Sequence, residues 1–365
     1  MNINGRFFAI LIVLFLLTTG NLSGLCADAV QPEGVNNSNC ELPVLNMYTW
    51  VEYIDPAILS DFEKEFHVKV HVDFYDDEEV MFSSVQSQPE RYDVIFPSDS
   101  LTDVMIKSSL LSKLEIRCIP NVRNLREKFR VITSRKWKGY SIPLDWGVTG
   151  IAYNTKYVKE AVDSWCIFWE KRYAGKMALL NNSYDVMTIG QKRLEESLNP
   201  INPEVIERAF RLLKESKPLL QEEGFLSYTK IMERMKNETL WIAQCYNGDA
   251  ALIKEENPAV KFIIPKEGSG LWMDNIAIPA GAKNKRLAEK FINFMLRPEI
   301  SAGHTNFCYY ANCNKKAGVF VNKEVLNNKD IHINKRELER LELYEILSPN
   351  VQNKFNECWA ELVAH

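Results

Sequence analysis

The 365-residue sequence predicts an α/β protein of two lobes, each built on a mainly parallel sheet, and three observations carry the prediction. Apolar patterns alternate between strand and helix up to about residue 110, and the alternation restarts after Asp163. A chain of this length exceeds what one hydrophobic core usually fills. No internal repeat or low-complexity linker divides it, so the lobes are expected to interleave along the chain rather than follow one another.

The elements follow in order. Val44 to Tyr48 reads as a buried strand, and Asp55-Pro56 starts a helix with Asp as N-cap and Pro in the first turn. Ile58, Leu59, Phe62 and Phe66 give that helix one apolar face. His67 to Phe74 alternates, with Val68, Val70, Val72 and Phe74 on one side, as a strand does. The acidic run Asp76 to Glu79 precedes an amphipathic stretch; charges favoured at a helix N-terminus explain it better than a calcium site. Asp93 to Phe96 is a short strand, and a helix follows in which Ser100 and Asp103 have capping-box spacing. Tyr140 to Pro143 and Val148 to Tyr153 read as two strands around Asp145-Trp146-Gly147, carrying the chain out of the first lobe.

Beyond Asp163, Ser164 caps a helix, Lys176 to Leu180 is a strand, and Asp185 opens a helix through Leu194. Asn202-Pro203 begins a long helix to Lys214, and Leu240 to Tyr246 is a strand. Val260 to Pro265, Leu271 to Asp274 and Ile276 to Pro279 are further strands, with a hairpin turn at Glu267-Gly268-Ser269-Gly270. Asn284 to Leu296 is an amphipathic helix, and the chain from Lys335 onward is mostly helical.

Residues 1–29 read as a secretory signal: Arg6 is the basic region, Phe7 to Leu17 the apolar region, and Ala27-Asp28-Ala29 the cleavage site. Cys26 offers a second processing route, lipidation. Residues 30–41 form a polar tail. The later cysteines are dispersed without a C-x-x-C pair; they read as buried small apolar residues, with one disulfide left open.

Composition excludes several functions. A net charge of −4 gives no footprint for nucleic acid. Five scattered histidines, without H-x-E or H-E-x-x-H spacing, speak against a zinc enzyme or a histidine triad. Ser98 and Ser100 lack a G-x-S-x-G elbow, and the Gly268 segment lacks P-loop spacing, so no catalytic residue, metal or cofactor is called for.

Ligands of open α/β sheets sit beyond the carboxyl ends of strands. Trp50, Glu52 and Tyr53 follow the first strand, Ser98 and Ser100 the third. Asn182 and Asp185, Tyr246 and Asp249, then Trp272 and Asp274 follow later ones. Aromatics and carboxylates gather there without Lys or Arg, a composition suited to a cation. Aromatic faces attract ammonium groups by roughly 0.5–2 kcal/mol each, and carboxylates pair with them directly. Singly, each residue has a plainer explanation: a Trp after a strand fills core, and Asp185 or Asp249 fits a helix N-cap. Their coincidence at several strand ends favours the joint reading.

At these same residues the chain resembles a known family, the periplasmic polyamine-binding proteins of spermidine/putrescine ABC transporters. The matching segments are Tyr-Thr-Trp-Val-Glu-Tyr (48–53), Tyr-Asp-Val-Ile-Phe-Pro-Ser (92–98) and Ile-Pro-Leu-Asp-Trp-Gly (142–147). Pro-Lys-Glu-Gly (265–268), the Trp-Met-Asp-Asn stretch (272–285), Leu-Arg-Pro-Glu (296–299) and Tyr-Ala-Asn-Cys-Asn-Lys (310–315) continue the match in family order. The resemblance implies a type II periplasmic-binding-protein fold whose lobes, 42–148 plus 273–318 and 149–272 plus 319–365, are hinged by two crossovers. It implies a putrescine or spermidine ligand, delivery to an ABC permease and a periplasmic location, with a lipid anchor if Cys26 is modified. Trp50, Val51, Glu52, Tyr53, Ser98, Ser100, Asn182, Asp185, Tyr246, Asp249, Trp272, Asp274 and Tyr310 are then the cleft residues, with Asp274 central and Trp272 a platform for methylenes. Val51 stands where the family usually has Thr or Ser, Asn182 where spermidine binders carry Asp, Asp185 where a Glu is usual, and Tyr246 where a Trp is usual. Two other readings remain: a binding protein for a betaine- or thiamine-like solute, and a secreted hydrolase using Asp185 and Asp274 as paired carboxylates.

Overall fold

The computed structural model describes residues 42–364. The signal, Cys26, Cys40 and the tail of residues 30–41 lie outside the described residues. Strands run in chain order as β1 (Val44–Trp50), β2 (Lys69–Tyr75), β3 (Val94–Ile95), β4 (Ser141–Asn154), β5 (Met177–Leu180), β6 (Phe225–Leu226), β7 (Ile242–Tyr246), β8 (Val260–Ile263), β9 (Ser269–Ala277), β10 (Ala311–Asn312) and β11 (Leu341–Leu343). Their spatial order is β2-β1-β3-β9-β4-β7-β5-β6, with β10 and β8 on β4 and β11 on β9. On one side β1, β2 and β3 are parallel; on the other β5, β6 and β7 are. The central strand β9 is antiparallel to β3, its neighbour β4 is antiparallel to β7, and the two are antiparallel to each other.

Those two strands correct the sequence reading. The stretches expected at Tyr140–Pro143 and Val148–Tyr153 belong to one continuous strand, Ser141–Asn154, interrupted only by a register shift between Pro143 and Asp145. Pro143 has no amide hydrogen to offer the ladder, so the pattern looks broken there while the chain stays extended. Leu271–Asp274 and the start of Ile276–Pro279 likewise fuse into β9, which ends at Ala277. The Gly268 segment turns, with Gly268 at φ +93°, yet β8 and β9 do not pair with each other; each pairs with a different stretch of β4. Residues 141–148 of β4 face β9, and residues 149–154 face β7 and β8.

Separate apolar cores lie on either side. Leu45, Met47, Phe62, Trp137, Phe291 and Met295 belong to one. Trp165, Phe168, Ile206, Leu213, Phe355 and Leu362 belong to another, where the C-terminal helix Pro349–Ala364 covers the helix Pro203–Ser216. Each such side chain, fully buried, contributes about 1.5–3 kcal/mol. Asp55 Oδ1 accepts from the Ala57 amide at 2.8 Å, and Asp77 caps the helix Glu78–Ser87, both as the residue pattern predicts. The helix Asp99–Lys107 is capped by Ser98, two residues before the expected Ser100, and with Leu101 at its third position it forms no capping box. Ser164 caps a short 3-10 turn, and the region after Lys335 includes strand β11. Phe74 is 59% exposed because β2 is an edge strand. The six described cysteines are unbridged, and no described helix is long and apolar enough to cross a membrane.

Candidate functional site

Every site residue picked from the sequence lines one cleft that is partly open to solvent. The cavity lies where the chain leaves the strands flanking β4 and β9. Trp50 ends β1; Val51 follows, its amide held by the Tyr75 carbonyl at 3.1 Å, and Glu52 turns the chain at φ 55° with its side chain exposed. Tyr53 is buried and donates to Asp145 Oδ2 at 2.8 Å. After β3, Ser98 Oγ lies 3.0 Å from Ser100 Oγ and accepts from the Leu101 amide.

The cap explanations for two carboxylates fail. Asn182, not Asp185, caps the helix Ser183–Arg193, accepting from the Asp185 amide at 3.1 Å. Asp185 instead receives hydroxyls from Thr149 at 2.6 Å, Tyr246 at 2.8 Å and Tyr344 at 3.2 Å. The helix Asn247–Glu256 has Tyr246 at its cap position without a side-chain cap, and Asp249 accepts the Tyr310 hydroxyl at 2.6 Å. Its other oxygen is buried and unpartnered.

Trp272 and Asp274, two residues apart on β9, share one face of the strand. The indole is met edgewise by Tyr246, centroids 5.4 Å apart, and by Tyr310 at 4.9 Å. Gly147 is its cross-strand partner, and a Cβ there would run into the indole ring. Gly248 stands in the same relation to Tyr310. Gly147→Ala is therefore expected to displace Trp272 and destabilise the protein by about 1–3 kcal/mol, as overpacking does. Urea denaturation followed by tryptophan emission checks this; an unchanged midpoint and spectrum would mean that the indole moves aside freely.

The electrostatics are one-sided. Among the described residues lining the cavity there is no Lys, Arg or His, while Glu52, Glu78, Asp99, Asp185, Asp249 and Asp274 are all present. Burial pushes Asp249 up to about 7, with the Glu52 charge adding and the Tyr310 hydrogen bond opposing. Burial does the same to Asp99, also to about 7, and raises Asp185 against its three hydroxyl donors. Asp274 lies opposite Asp145 across the β4–β9 ladder. Burial, then the charges of Asp145, Glu78 and Asp99, hold it well above the ordinary carboxylate range. Like charges facing one another in a sheet destabilise it unless a cation intervenes.

Behind Tyr53, Asp145 meets His304 Nε2 at 2.7 Å, and Cys308 Sγ lies 3.7 Å from the same nitrogen. These three are the one described group whose ligand atoms, within 4.8 Å of one another, could hold a metal ion. The Tyr53 and His304 hydrogen bonds to Asp145 account for the arrangement without one.

Several lining residues escaped the sequence reading: Glu78, Asp99, Tyr184, Tyr228, Met232, Leu252, Cys308 and Tyr344. Glu78 and Asp99 satisfy the strand-end rule, since they follow β2 and β3, and that signal could have found them. Tyr228 and Tyr344 follow β6 and β11, strands too short to show alternation.

A family model described as bacterial extracellular solute-binding protein matches residues 57–329. The chain belongs to this family. The solute-binding protein is 31% identical over 290 residues to the spermidine/putrescine-binding periplasmic protein of Escherichia coli, spanning 79% of this chain and 82% of that one. It is 28% identical over 338 residues to the putrescine-binding periplasmic protein SpuD of Pseudomonas aeruginosa, spanning 87% and 91%. Among solved structures it superposes with TM-score 0.74 and 27% identity on the spermidine/putrescine ABC transporter substrate-binding protein PotD of Streptococcus pneumoniae, covering 88% of this chain and 98% of that one. A lipoprotein of Treponema pallidum gives TM-score 0.78 at 25% identity, covering 88% and 100%. The fold of the solute-binding protein is thus the two-lobed periplasmic-binding-protein fold.

Proposed function

We propose that the protein binds a linear polyamine of the putrescine and spermidine class in this cleft and delivers it to an ABC permease. The observation that carries the reading is the cleft's wall: carboxylates and aromatics together, with no basic side chain among them. The names of the relatives, spermidine/putrescine-binding and putrescine-binding, point the same way. Alkyl stems lie between Trp50, Tyr246 and Trp272, and ammonium groups pair with Asp185, Asp249 and Asp274. Asp185 keeps capacity for an ammonium, because three hydroxyl donors fill only part of a carboxylate's roughly four acceptor sites. Two hydrogen bonds bridge the mouth, Tyr228 Oη to the Val51 carbonyl at 2.7 Å and Asn181 Nδ2 to Asp77 at 3.2 Å. Contacts of this kind, made from both sides, favour the closed form once ligand is in place.

Carboxylates spread along a slot suit a chain of ammonium groups better than the compact aromatic box that a betaine needs. Calorimetry with putrescine, cadaverine, spermidine, spermine and glycine betaine tests the reading. Heat and saturable binding are expected with at least one polyamine, and at a hundredfold excess over Kd the folded state gains about 2.7 kcal/mol. Binding of betaine with none of the polyamines would sink it. Export through the signal of residues 1–29 completes the proposal. Mass spectrometry of the mature N-terminus separates cleavage after Ala29 from lipidation of Cys26.

A further inference from the structure

The acidic run Asp76–Glu79 reads from the sequence as a helix N-terminus facing water, and Asp76 and Glu79 are indeed exposed. Glu78 is only partly so, and it lines the cleft. Its Oε1 accepts from the Ser98 amide at 2.8 Å and its Oε2 from Ser98 Oγ at 2.9 Å. Ser98 in turn forms an antiparallel bridge with Asp274, and Asp99 is its chain neighbour. Glu78, Asp99 and Asp274 are thus gathered around one serine. Asp99 is 1% exposed, and both its carboxylate oxygens are buried without a hydrogen-bond partner at the cavity wall. No Lys, Arg or His lines the cleft beside the group, and the cation that acts on it, Lys136, bears on Asp99 from outside the lining, where it pairs with Asp103.

Asp249 belongs elsewhere. It is bonded to Tyr310, whose ring abuts Trp272, and Trp272 precedes Asp274 by two residues, about 6.7 Å along a strand. An apolar stretch therefore separates Asp249 from the group around Ser98.

We propose that Glu78 is an ammonium-binding carboxylate of the cleft, and that with Asp274 and Asp249 it selects a polyamine with three cationic nitrogens over one with two. This rests on the polyamine reading above. Ser98 holds both Glu78 oxygens from one side and leaves their remaining lone pairs for an ammonium. A diamine that spans Asp249 and Asp274 leaves Glu78 and Asp99 without a cation; a triamine supplies one. Burial, opposed by the Ser98 bonds and aided by the charges of Asp185 and Asp77, raises Glu78 to about 7. An ammonium arriving there displaces the proton from the carboxyl group to buffer.

Calorimetry with spermidine and putrescine at pH 6.5, in buffers of low and high ionisation enthalpy, tests this on the full mature chain, Glu78→Gln and Glu79→Gln. The unaltered protein is expected to prefer spermidine by about tenfold or more. Glu78→Gln, whose amide oxygen can still accept from Ser98, should lose about tenfold in spermidine affinity, change less than about threefold for putrescine, and release fewer protons. Glu79→Gln, removing a charge one residue away, should match the unaltered protein. Equal losses for both ligands, no loss, or unchanged proton release in Glu78→Gln would overturn the proposal. So would a preference for putrescine in the unaltered protein, a result that needs no variant to fold. Failure of the unaltered protein to bind any polyamine is a separate outcome and overturns the polyamine reading itself.

Discussion

Replacing Asp274 by Asn is expected to weaken polyamine binding by about 100-fold, whereas Glu52→Gln changes it less than about threefold. The difference follows from where the two carboxylates stand. Asp274 is 8% exposed, on the central strand β9, with its neighbours Asp145, Glu78 and Asp99 all acidic. An ammonium seated there has shed its water, and losing the carboxylate that meets it directly is costly. Glu52 is exposed on a turn, so an ammonium near it keeps water and the attraction is screened. Titration calorimetry of the two variants with spermidine decides the matter. Equal dissociation constants would show that Asp274 holds no ammonium.

Polyamine affinity should rise between pH 6 and pH 8, by up to about tenfold per pH unit for each proton released. Glu78, Asp99 and Asp249 each carry a proton up to about pH 7 in the unliganded cleft, and a cation needs them ionised. The amines, with pKa values near that of lysine at about 10.4, stay charged throughout and contribute no slope. Stability of the unliganded protein runs the other way. Unfolded, these carboxyls titrate near 4; folded, near 7, so the folded state binds more protons between those values. Their contribution is fully present below pH 4 and is lost as pH rises to 7. Asp99→Asn, which cannot ionise, should therefore gain stability over the unaltered protein as pH rises from 5 to 8. Melting curves of both proteins at the two pH values, with and without spermidine, check the sign. An affinity independent of pH would place the protonated carboxyls outside the ligand's reach.

How far the sequence reached depends on element length and on which residues compete for one explanation. Strand ends located Trp50, Ser98 and Tyr246 because β1, β3 and β7 each leave an apolar run that stops at a polar turn. Trp272 and Asp274, expected after a strand, instead lie inside β9 and reach the cleft from one of its faces. β6 and β11 leave no such run, so Tyr228 and Tyr344 were out of reach. Asp185 and Asp249 had two explanations apiece, cap or ligand carboxylate, and only the hydrogen bonds from Thr149 and Tyr310 separate them. Glu78 illustrates the opposite error. A charge in a first helical turn is stabilised by the helix dipole, which hides the fact that another strand end, carrying Ser98, reaches over to bind it. The continuity of β4 was hidden by Pro143, whose effect on the ladder resembles that of a strand boundary.

We propose that the paired strands β4 and β9 are the hinge of the capture cycle and so set its order of events. When two bodies rotate about shared strands, displacement grows with distance from the axis, so groups on the strands themselves scarcely travel. Trp272 and Asp274 are such groups, with Gly147 and Asp145 opposite them. On this proposal Asp249, Tyr228 and Asn181, which lie off those strands, travel farther. A landing stage therefore persists while the entrance is wide, and the first nitrogen to arrive can dwell there before the distant carboxylates swing in. Residence time is then governed by the outlying bolts, Tyr228 on Val51 and Asn181 on Asp77, and arrival by the stationary centre.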